Sequence, residues 1–403
     1  MPLVGARRAL LNVASITYLL RDLFTTDRAA GAVNGTPAEP GPGTRTVTDT
    51  GSKETIAGGM ISIASTTGAA DPSTSELQTT RAFGRALLWT SRRAVGANDN
   101  SPVIGFATGA NTDSVQAGLS YDSSGVAFGN NIAAPAGLGT FTAGTFNDSA
   151  VVLRATGHYL FERIGGVYQL LWASGTGSTA TLFAVHYSRN TAGRCGYDLK
   201  NFRVPDALYN VPVLAYDTLT RADGSLGVSE VLGPDGQAVT ARAWTVQAGT
   251  ISIVSNAASL VATAGGLAIA TVDVGSADVV MDLAITRTAG SGGGVLRYVD
   301  ANNYLRFSTD GTNCLLEQVV AGTPSTLRTG AVTYGAGNVA RVILQGTTGL
   351  LFYNGAAVGA SFTVPSSSAT LHGLYGTDTS VLWDNCTIWP RGTGGEYAGL
   401  DAY

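Results

Sequence analysis

Short runs of alternating apolar and polar positions dominate the chain. Apolar residues occupy every second position from Val279 to Ile285, and Leu267 and Ile269 alternate with alanines in the run before it. A period of two is typical of a β-strand with one buried face. The run Val339–Leu344 has the length and composition of another strand. The pattern predicts an all-β chain of short antiparallel strands.

Turn residues separate these runs and predict hairpins. Apolar segments between positions 350 and 358 flank Asn354-Gly355. An Asn-Gly pair supplies the positive φ angles that a tight two-residue hairpin needs. Two apolar runs between positions 151 and 161 are followed by a Gly-Gly pair at 165–166, which predicts a similar unit earlier in the chain.

The chain repeats itself once, with offsets of about 190 residues. Three pairs of segments carry the repeat: Asp22–Ala32 with Asp217–Gly227, Gly58–Ile63 with Ala248–Ile253, and Thr179–His186 with Ser368–Tyr375. Two copies of one domain therefore make up most of the 403 residues. A duplicated module is more typical of a binding or structural unit than of an enzyme.

The repeat and the turn-rich composition predict five regions. They are an N-terminal assembly or docking segment at 1–20, a first β-sandwich at 21–205, a proline-containing linker at 206–216, a second β-sandwich at 217–391 and a C-terminal tail at 392–403. Glycine accounts for 53 residues and charged residues for 13%, which fits short strands with many turns rather than helical bundles. High apolar content with low charge also predicts a homo-oligomer.

Charge and hydropathy limit the classes of partner that the sequence predicts. The net charge is −4 and no basic cluster occurs, so the sequence predicts no nucleic-acid binding. No run of 18 apolar residues occurs, so no membrane span is predicted. The basic, apolar start loosely imitates a signal peptide, but Asn12, Ser15 and Thr17 interrupt it, and we expect no export signal.

Several segments resemble known families. The run Val339–Val358 resembles the central hairpin of concanavalin-like and laminin-G-like lectin sandwiches. Trp383–Pro390 looks like their closing strand, and Tyr197–Pro205 is similar in the first copy. Asp217–Gly227 with Trp244–Gly249 resembles modules of phage virion proteins. The resemblance implies two tandem antiparallel jelly-roll, lectin-like β-sandwiches.

Together these features predict a non-enzymatic structural protein on the exterior of a phage virion, at the tail, baseplate or capsid. Its expected partners are further copies of itself, other virion proteins and a host-surface glycan. The alternative is a secreted or cell-surface carbohydrate-binding adhesin. A glycoside hydrolase is disfavoured, because such enzymes need two opposed carboxylates and no Glu-x-Asp-x-Glu strand motif occurs.

Candidate ligand-binding residues are few. Asp217 opens the second repeat and Asp384 lies near its end, so the two could meet on adjacent strands and hold a structural Ca²⁺ ion, with Asp turn-capping as the alternative. No other cofactor and no carbohydrate-binding residue is predicted. His158 and His186 could meet on one sheet. Cys195, Cys314 and Cys386 are expected to be free thiols, and the five tryptophans are expected mainly in the cores.

Overall fold

In a computed structural model, residues 16–48, 54–63, 73–93, 102–109, 115–122, 125–128, 144–175, 181–188 and 196–403 are described. Within them the regular structure is antiparallel β-strand, apart from a 3₁₀ turn at Ala398–Leu400. The predicted all-β fold class is confirmed. No helix in the described part of the chain is long and apolar enough to cross a membrane.

The first half of the chain contributes two sheets. Its strands are β1 Tyr18–Asp22, β2 Thr46–Thr48, β3 Glu54–Ala57, β4 Met60–Ile63, β5 Ser73–Thr80, β6 Ala86–Arg93, β7 Pro102–Ala107, β8 Val115–Asp122, β9 Gly125–Phe128, β10 Asn147–Leu153, β11 His158–Ile164, β12 Val167–Ser174, β13 Thr181–Ser188 and β14 Tyr197–Pro205. The eight-stranded sheet has the order β12-β11-β10-β6-β14-β4-β3, with β1 also paired to β14. The six-stranded sheet has the order β2-β5-β13-β7-β8-β9.

The second half of the chain contributes two more sheets. Its strands are β15 Ala215–Asp217, β16 Thr245–Ala248, β17 Thr250–Val254, β18 Ala257–Ala262, β19 Ala268–Asp273, β20 Val279–Thr286, β21 Gly292–Asp300, β22 Asn303–Thr309, β23 Asn313–Val320, β24 Thr323–Ala331, β25 Asn338–Gln345, β26 Thr348–Tyr353, β27 Ala356–Ala357, β28 Phe362–Thr363, β29 Leu371–Gly376 and β30 Leu382–Pro390. The nine-stranded sheet runs β17-β18-β30-β20-β25-β26-β27, with β15 on β30 and β28 on β26. The seven-stranded sheet runs β16-β19-β29-β21-β22-β23-β24.

The two halves share one connectivity. The path from β12 to β3 in the eight-stranded sheet matches the path from β27 to β17 in the nine-stranded sheet, and β1 on β14 matches β15 on β30. Two of the repeat pairs seen in the sequence fall on matching strands. The pairing of Gly58–Ile63 with Ala248–Ile253 is wrong, because Met60–Ile63 forms β4 whereas Thr250–Val254 forms β17, the other strand of the hairpin. Both strands of that hairpin alternate with period two, so their sequences are easily confused.

Each half has an apolar core between its own two sheets. In the first half, buried side chains of β6 belong to one apolar cluster with Phe106 of β7. In the second half, Met281 of β20 packs in one cluster with Phe307 of β22. Every side chain in this group is fully buried. The burial of both sheet faces against each other is what makes each half a sandwich.

The outer faces of the two larger sheets also meet, at a contact that we call the seam. Val280, Ile343, Phe352 and Trp389 of the nine-stranded sheet belong to the apolar cluster of the first half. The Phe352 ring lies 5.2 Å from the Trp172 ring, edge to face. Part of the high apolar content is therefore buried within the chain. The sequence pattern did not predict the seam contact, because the regularly spaced apolar residues of β20 are those that face the core of the second half.

Both ends of the described chain touch the first half. Residues 1–15 of the predicted docking segment lie outside the described residues, whereas Tyr18 already belongs to β1. In the predicted tail, Tyr397 is fully buried and packs 4.9 Å from Phe161. The carbonyl oxygen of Tyr403 accepts hydrogen bonds from Tyr18 and Arg203. The domain boundaries themselves stay a prediction.

Candidate functional site

A cleft of about 600 Å³ lies along the seam. Both halves line it: the ends of β10 and β12 from the first, and β15, β20, β25, β30 and the β26–β27 turn from the second. Its lining residues are Arg154, Trp172, Ala173, Ser174, Gly175, Tyr216, Pro234, Asp282, Val339, Arg341, Asn354, Gly355, Asn385, Thr387 and Trp389. Its volume is in the range of small-molecule sites in proteins.

One wall of the cleft is built around Arg341. Asp282 lies directly opposite it on β20, and its two carboxylate oxygens accept hydrogen bonds of 2.6 Å from Nε and Nη2. Nη2 also donates to the carbonyl of Ala173 in the first half, at 2.7 Å. The guanidinium lies 3.9 Å from the centre of the Trp172 ring. A bidentate pair with a stacked ring fixes the guanidinium firmly.

The opposite wall is built around Arg154. Its Nε contacts Asp235 at 3.1 Å, and its Nη1 donates to the carbonyl of Ser174 at 3.0 Å. Burial raises the pKa of the Tyr159 hydroxyl, which keeps its proton and donates a hydrogen bond to the Asp235 carboxylate. Asp235 belongs to the loop between β15 and β16, so this ion pair also joins the two halves.

Two exposed amides stand at the mouth. Asn354 and Asn385 have φ angles of 47° and 48°, in the left-handed region that asparagine tolerates better than most residues. Asn354 occupies the predicted hairpin turn with Gly355, whose φ is 81°. The Tyr216 side chain is half-buried beside them. The mouth of the cleft thus offers amide and hydroxyl groups, and the buried rings of Trp172 and Trp389 also line the cleft.

The carboxylates beside the cleft are engaged in ion pairs. Both carboxylates that flank it, Asp282 and Asp235, are held by arginines at hydrogen-bonding distance. A general acid or base needs a carboxylate that can exchange a proton with substrate. The sequence analysis missed Arg341, although an arginine inside the apolar run Val339–Leu344 is itself a signal of a buried ion pair.

The predicted calcium ligands lie on neighbouring strands. Asp217 on β15 pairs with Cys386 on β30, two residues from Asp384. One oxygen of Asp217 accepts the indole N–H of Trp244 at 2.7 Å; the other accepts the backbone N–H of Leu219 at 2.8 Å and is ion-paired with Arg221. Among the described residues, no group of three His, Cys, Asp or Glu side chains is placed to hold a metal ion. The calcium site stays a prediction.

We expect Asp217→Ala to lower the free energy of unfolding by about 2 kcal/mol, since it leaves the buried Trp244 N–H without its acceptor and frees Arg221. The loss should be equal in Ca²⁺ and in a chelator, measured by urea unfolding. The control Asp384→Ala should cost less than about 1 kcal/mol. A loss of stability that appears only in the presence of Ca²⁺ would instead support a calcium site at Asp217.

Other candidates from the sequence are separated. His158 lies on β11 of the eight-stranded sheet and His186 on β13 of the six-stranded sheet, so the expected meeting on one sheet is wrong. Cys314 and Cys386 are buried free thiols on opposite sheets. Cys195 lies outside the described residues.

All five tryptophans are buried, with at most 9% of the surface exposed. Trp244 and Trp383 fill the core of the second half as predicted. Trp389 is buried at the seam instead, where it packs edge-on against Tyr159 at 6.3 Å.

No protein-family model matches the chain, and no curated protein matches it. Similar solved structures include a carbohydrate-binding module from Bacillus subtilis, 16% identical with a TM-score of 0.33, covering 36% of this chain and 94% of that one. A galectin of Caenorhabditis elegans is 16% identical with a TM-score of 0.24, covering 29% and 88%. The binding domain of botulinum neurotoxin serotype D is 10% identical with a TM-score of 0.32, covering 91% and 99%. These likenesses are too remote to carry a function.

Proposed function

We propose that the chain is a non-enzymatic carbohydrate-binding protein whose ligand occupies the seam cleft. The observation that carries the proposal is the composition of the cleft: two arginines fixed by ion pairs, the half-buried ring of Tyr216, and the exposed amides of Asn354 and Asn385. Sugars present hydroxyl groups and apolar ring faces, so a site of fixed polar groups with an aromatic surface suits them. The paired state of Asp282 and Asp235 supports binding without hydrolysis.

The test uses substitutions that keep the backbone unchanged. Glycine adopts positive φ readily, so Asn354→Gly with Asn385→Gly removes the two amides and leaves the β26–β27 turn and the bulge of β30 intact. Asn256→Gly is the matched control, because Asn256 is also exposed with a φ of 64° but belongs to the β17–β18 turn, which does not line the cleft.

On a glycan array followed by calorimetric titration, we expect the wild type and Asn256→Gly to bind the same saccharides. The double variant should bind at least tenfold more weakly, because two hydrogen bonds are lost. Equal binding by all three proteins would place the saccharide elsewhere. Cleavage of the bound saccharide by the wild type would overturn the non-enzymatic assignment.

The finer proposal is that this binding protein is a component of a phage particle exterior, in contact with other virion proteins and with further copies of itself. Its support is the resemblance of Asp217–Gly227 and Trp244–Gly249 to phage virion modules. Peptide mass spectrometry of density-purified particles should find the chain at a fixed ratio to the major capsid protein. Its absence from particles, with the protein free in the medium or on cells, would favour the secreted or cell-surface adhesin.

A further inference from the structure

The core of the first half contains a cluster of ionisable side chains that the second half lacks. Asp22, Arg45, Glu54, Glu76 and His186 lie between the six- and eight-stranded sheets, and none is more than 4% exposed. We call these five residues the polar core cluster. They lie apart from the seam cleft, since none of them lines it.

The matching connectivity of the two halves locates the corresponding positions. Thr46 of β2 pairs with Ser75 of β5, as Thr245 of β16 pairs with Thr271 of β19. Thr74, the residue before Ser75, pairs with His186, and Ala270, the residue before Thr271, pairs with Leu374. A leucine in the second half therefore occupies the position of His186 in the first.

The residues before β2 and β16 are Arg45 and Trp244, so an arginine in the first half occupies the position of a tryptophan in the second. Each contacts the aspartate that ends the first strand of its own half: Arg45 contacts Asp22, and Trp244 contacts Asp217.

Glu76 has no counterpart in the second half. Ser75 pairs with Val185 and Leu77 with Ala184, so Glu76 is the extra residue of a β-bulge, whereas β19 pairs with β29 without a register shift. A bulge re-aims a side chain, and here it turns a carboxyl group into the core. An inserted, buried carboxyl at this point is a specific feature of the first half.

The charges around Glu76 are unbalanced. It faces the carboxyl of Asp22, Arg45 and Glu54, and neither of its two oxygens has a hydrogen-bond partner among the described residues. From β13 it faces His186, whose Nε2 lies 3.7 Å from Oε1. The Arg45 guanidinium is engaged by Asp22 through two contacts of 2.6 Å. Burial lowers the pKa of His186 to about 3, and its Nδ1 contacts the Tyr197 hydroxyl at 2.8 Å, so it adds no positive charge.

Among the described residues, Glu76 and Asp22 therefore share one cation, Arg45, with Glu54 nearby, at a buried site where like charges repel strongly. We propose that Glu76 is a neutral carboxylic acid at neutral pH and that its ionisation makes the first half a pH-sensitive element. Burial raises the pKa of Glu76 well above its usual range, in the same direction.

The direction in which pH changes the folding stability follows from proton binding by Glu76. The folded state holds the Glu76 proton at pH values where the unfolded chain has lost it, so the stabilisation is complete below about pH 4.5 and declines as the pH rises. Relative to Glu76→Gln, the unfolding equilibrium constant of the wild type should rise by up to tenfold per pH unit above about pH 5, until the pH reaches the raised pKa of Glu76 in the folded protein. His186 acts in the opposite direction, but only below about pH 6.5.

Infrared spectroscopy tests the protonation directly. At about pH 7, the wild type should show a C=O stretching band of a protonated carboxyl group that is lost in Glu76→Gln and kept in Glu162→Gln. Hydrogen exchange gives a second readout that does not require the variant to fold. As the pH is raised, protection corrected for intrinsic exchange should fall in wild-type peptides from β5 and β13 and stay constant in those from β19 and β29. An absent band, or equal pH dependence in the two halves, would overturn the proposal.

Discussion

Arg341→Ala is expected to lower the free energy of unfolding by about 3–5 kcal/mol, the cost of breaking a buried ion pair by removing one partner. The substitution leaves the Asp282 carboxylate without its bidentate partner and the Ala173 carbonyl without its donor. It also removes the cation above the Trp172 ring. Urea unfolding at constant pH measures the loss.

Two controls make this result specific to the seam. Arg163→Ala breaks exposed ion pairs with Asp148 and Asp401, and should cost no more than about 1 kcal/mol. Arg341→Lys keeps the charge but loses the planar two-pronged contact, so its cost should lie between those of Arg163→Ala and Arg341→Ala. If Arg341→Ala costs no more than Arg163→Ala, the seam does not depend on this residue.

Glu162→Gln is expected to stabilise the protein at about pH 8, by about 3 kcal/mol. Glu162 on β11 is 1% exposed, and burial raises its pKa to about 7, against the opposing effect of Arg391. The folded state thus binds a proton that the unfolded chain releases near pH 4.5. The stabilisation is complete below that pH and is lost as the pH rises through about 7.

The measurement is the difference in unfolding free energy between wild type and Glu162→Gln from about pH 4 to pH 8. This difference should grow as the pH rises and then level off. The exposed Glu396 provides the control, since Glu396→Gln alters no buried charge and should change the free energy of unfolding by less than about 0.5 kcal/mol. A flat difference for Glu162→Gln would show that the carboxyl group is solvated.

Sequence patterns predicted the strands well, because their evidence is local. The alternation in Val279–Ile285 and the Asn354-Gly355 turn each depend on neighbouring residues, and both lie where they were expected. The closing strand Leu382–Pro390 also formed, paired on both sides within the nine-stranded sheet.

The site could not be predicted in the same way, because it depends on contacts between distant residues. Arg341 reaches the carbonyl of Ala173, 168 residues earlier, and Arg154 pairs with Asp235 across the seam. Such contacts follow from how two sheet faces stack, which no local pattern encodes. The contrast between Arg45 and Trp244 likewise emerged only when the strands of the two halves were matched by their pairing.

The central claim is that one saccharide contacts both halves of the chain. Hydrogen exchange of the protein with and without a saccharide identified on the array tests it most directly. The account predicts added protection in both halves: in 172–175 of the first half, and around Tyr216, Arg341 and Asn385 of the second. Protection confined to one half, or to the outer face of the seven-stranded sheet, would contradict it.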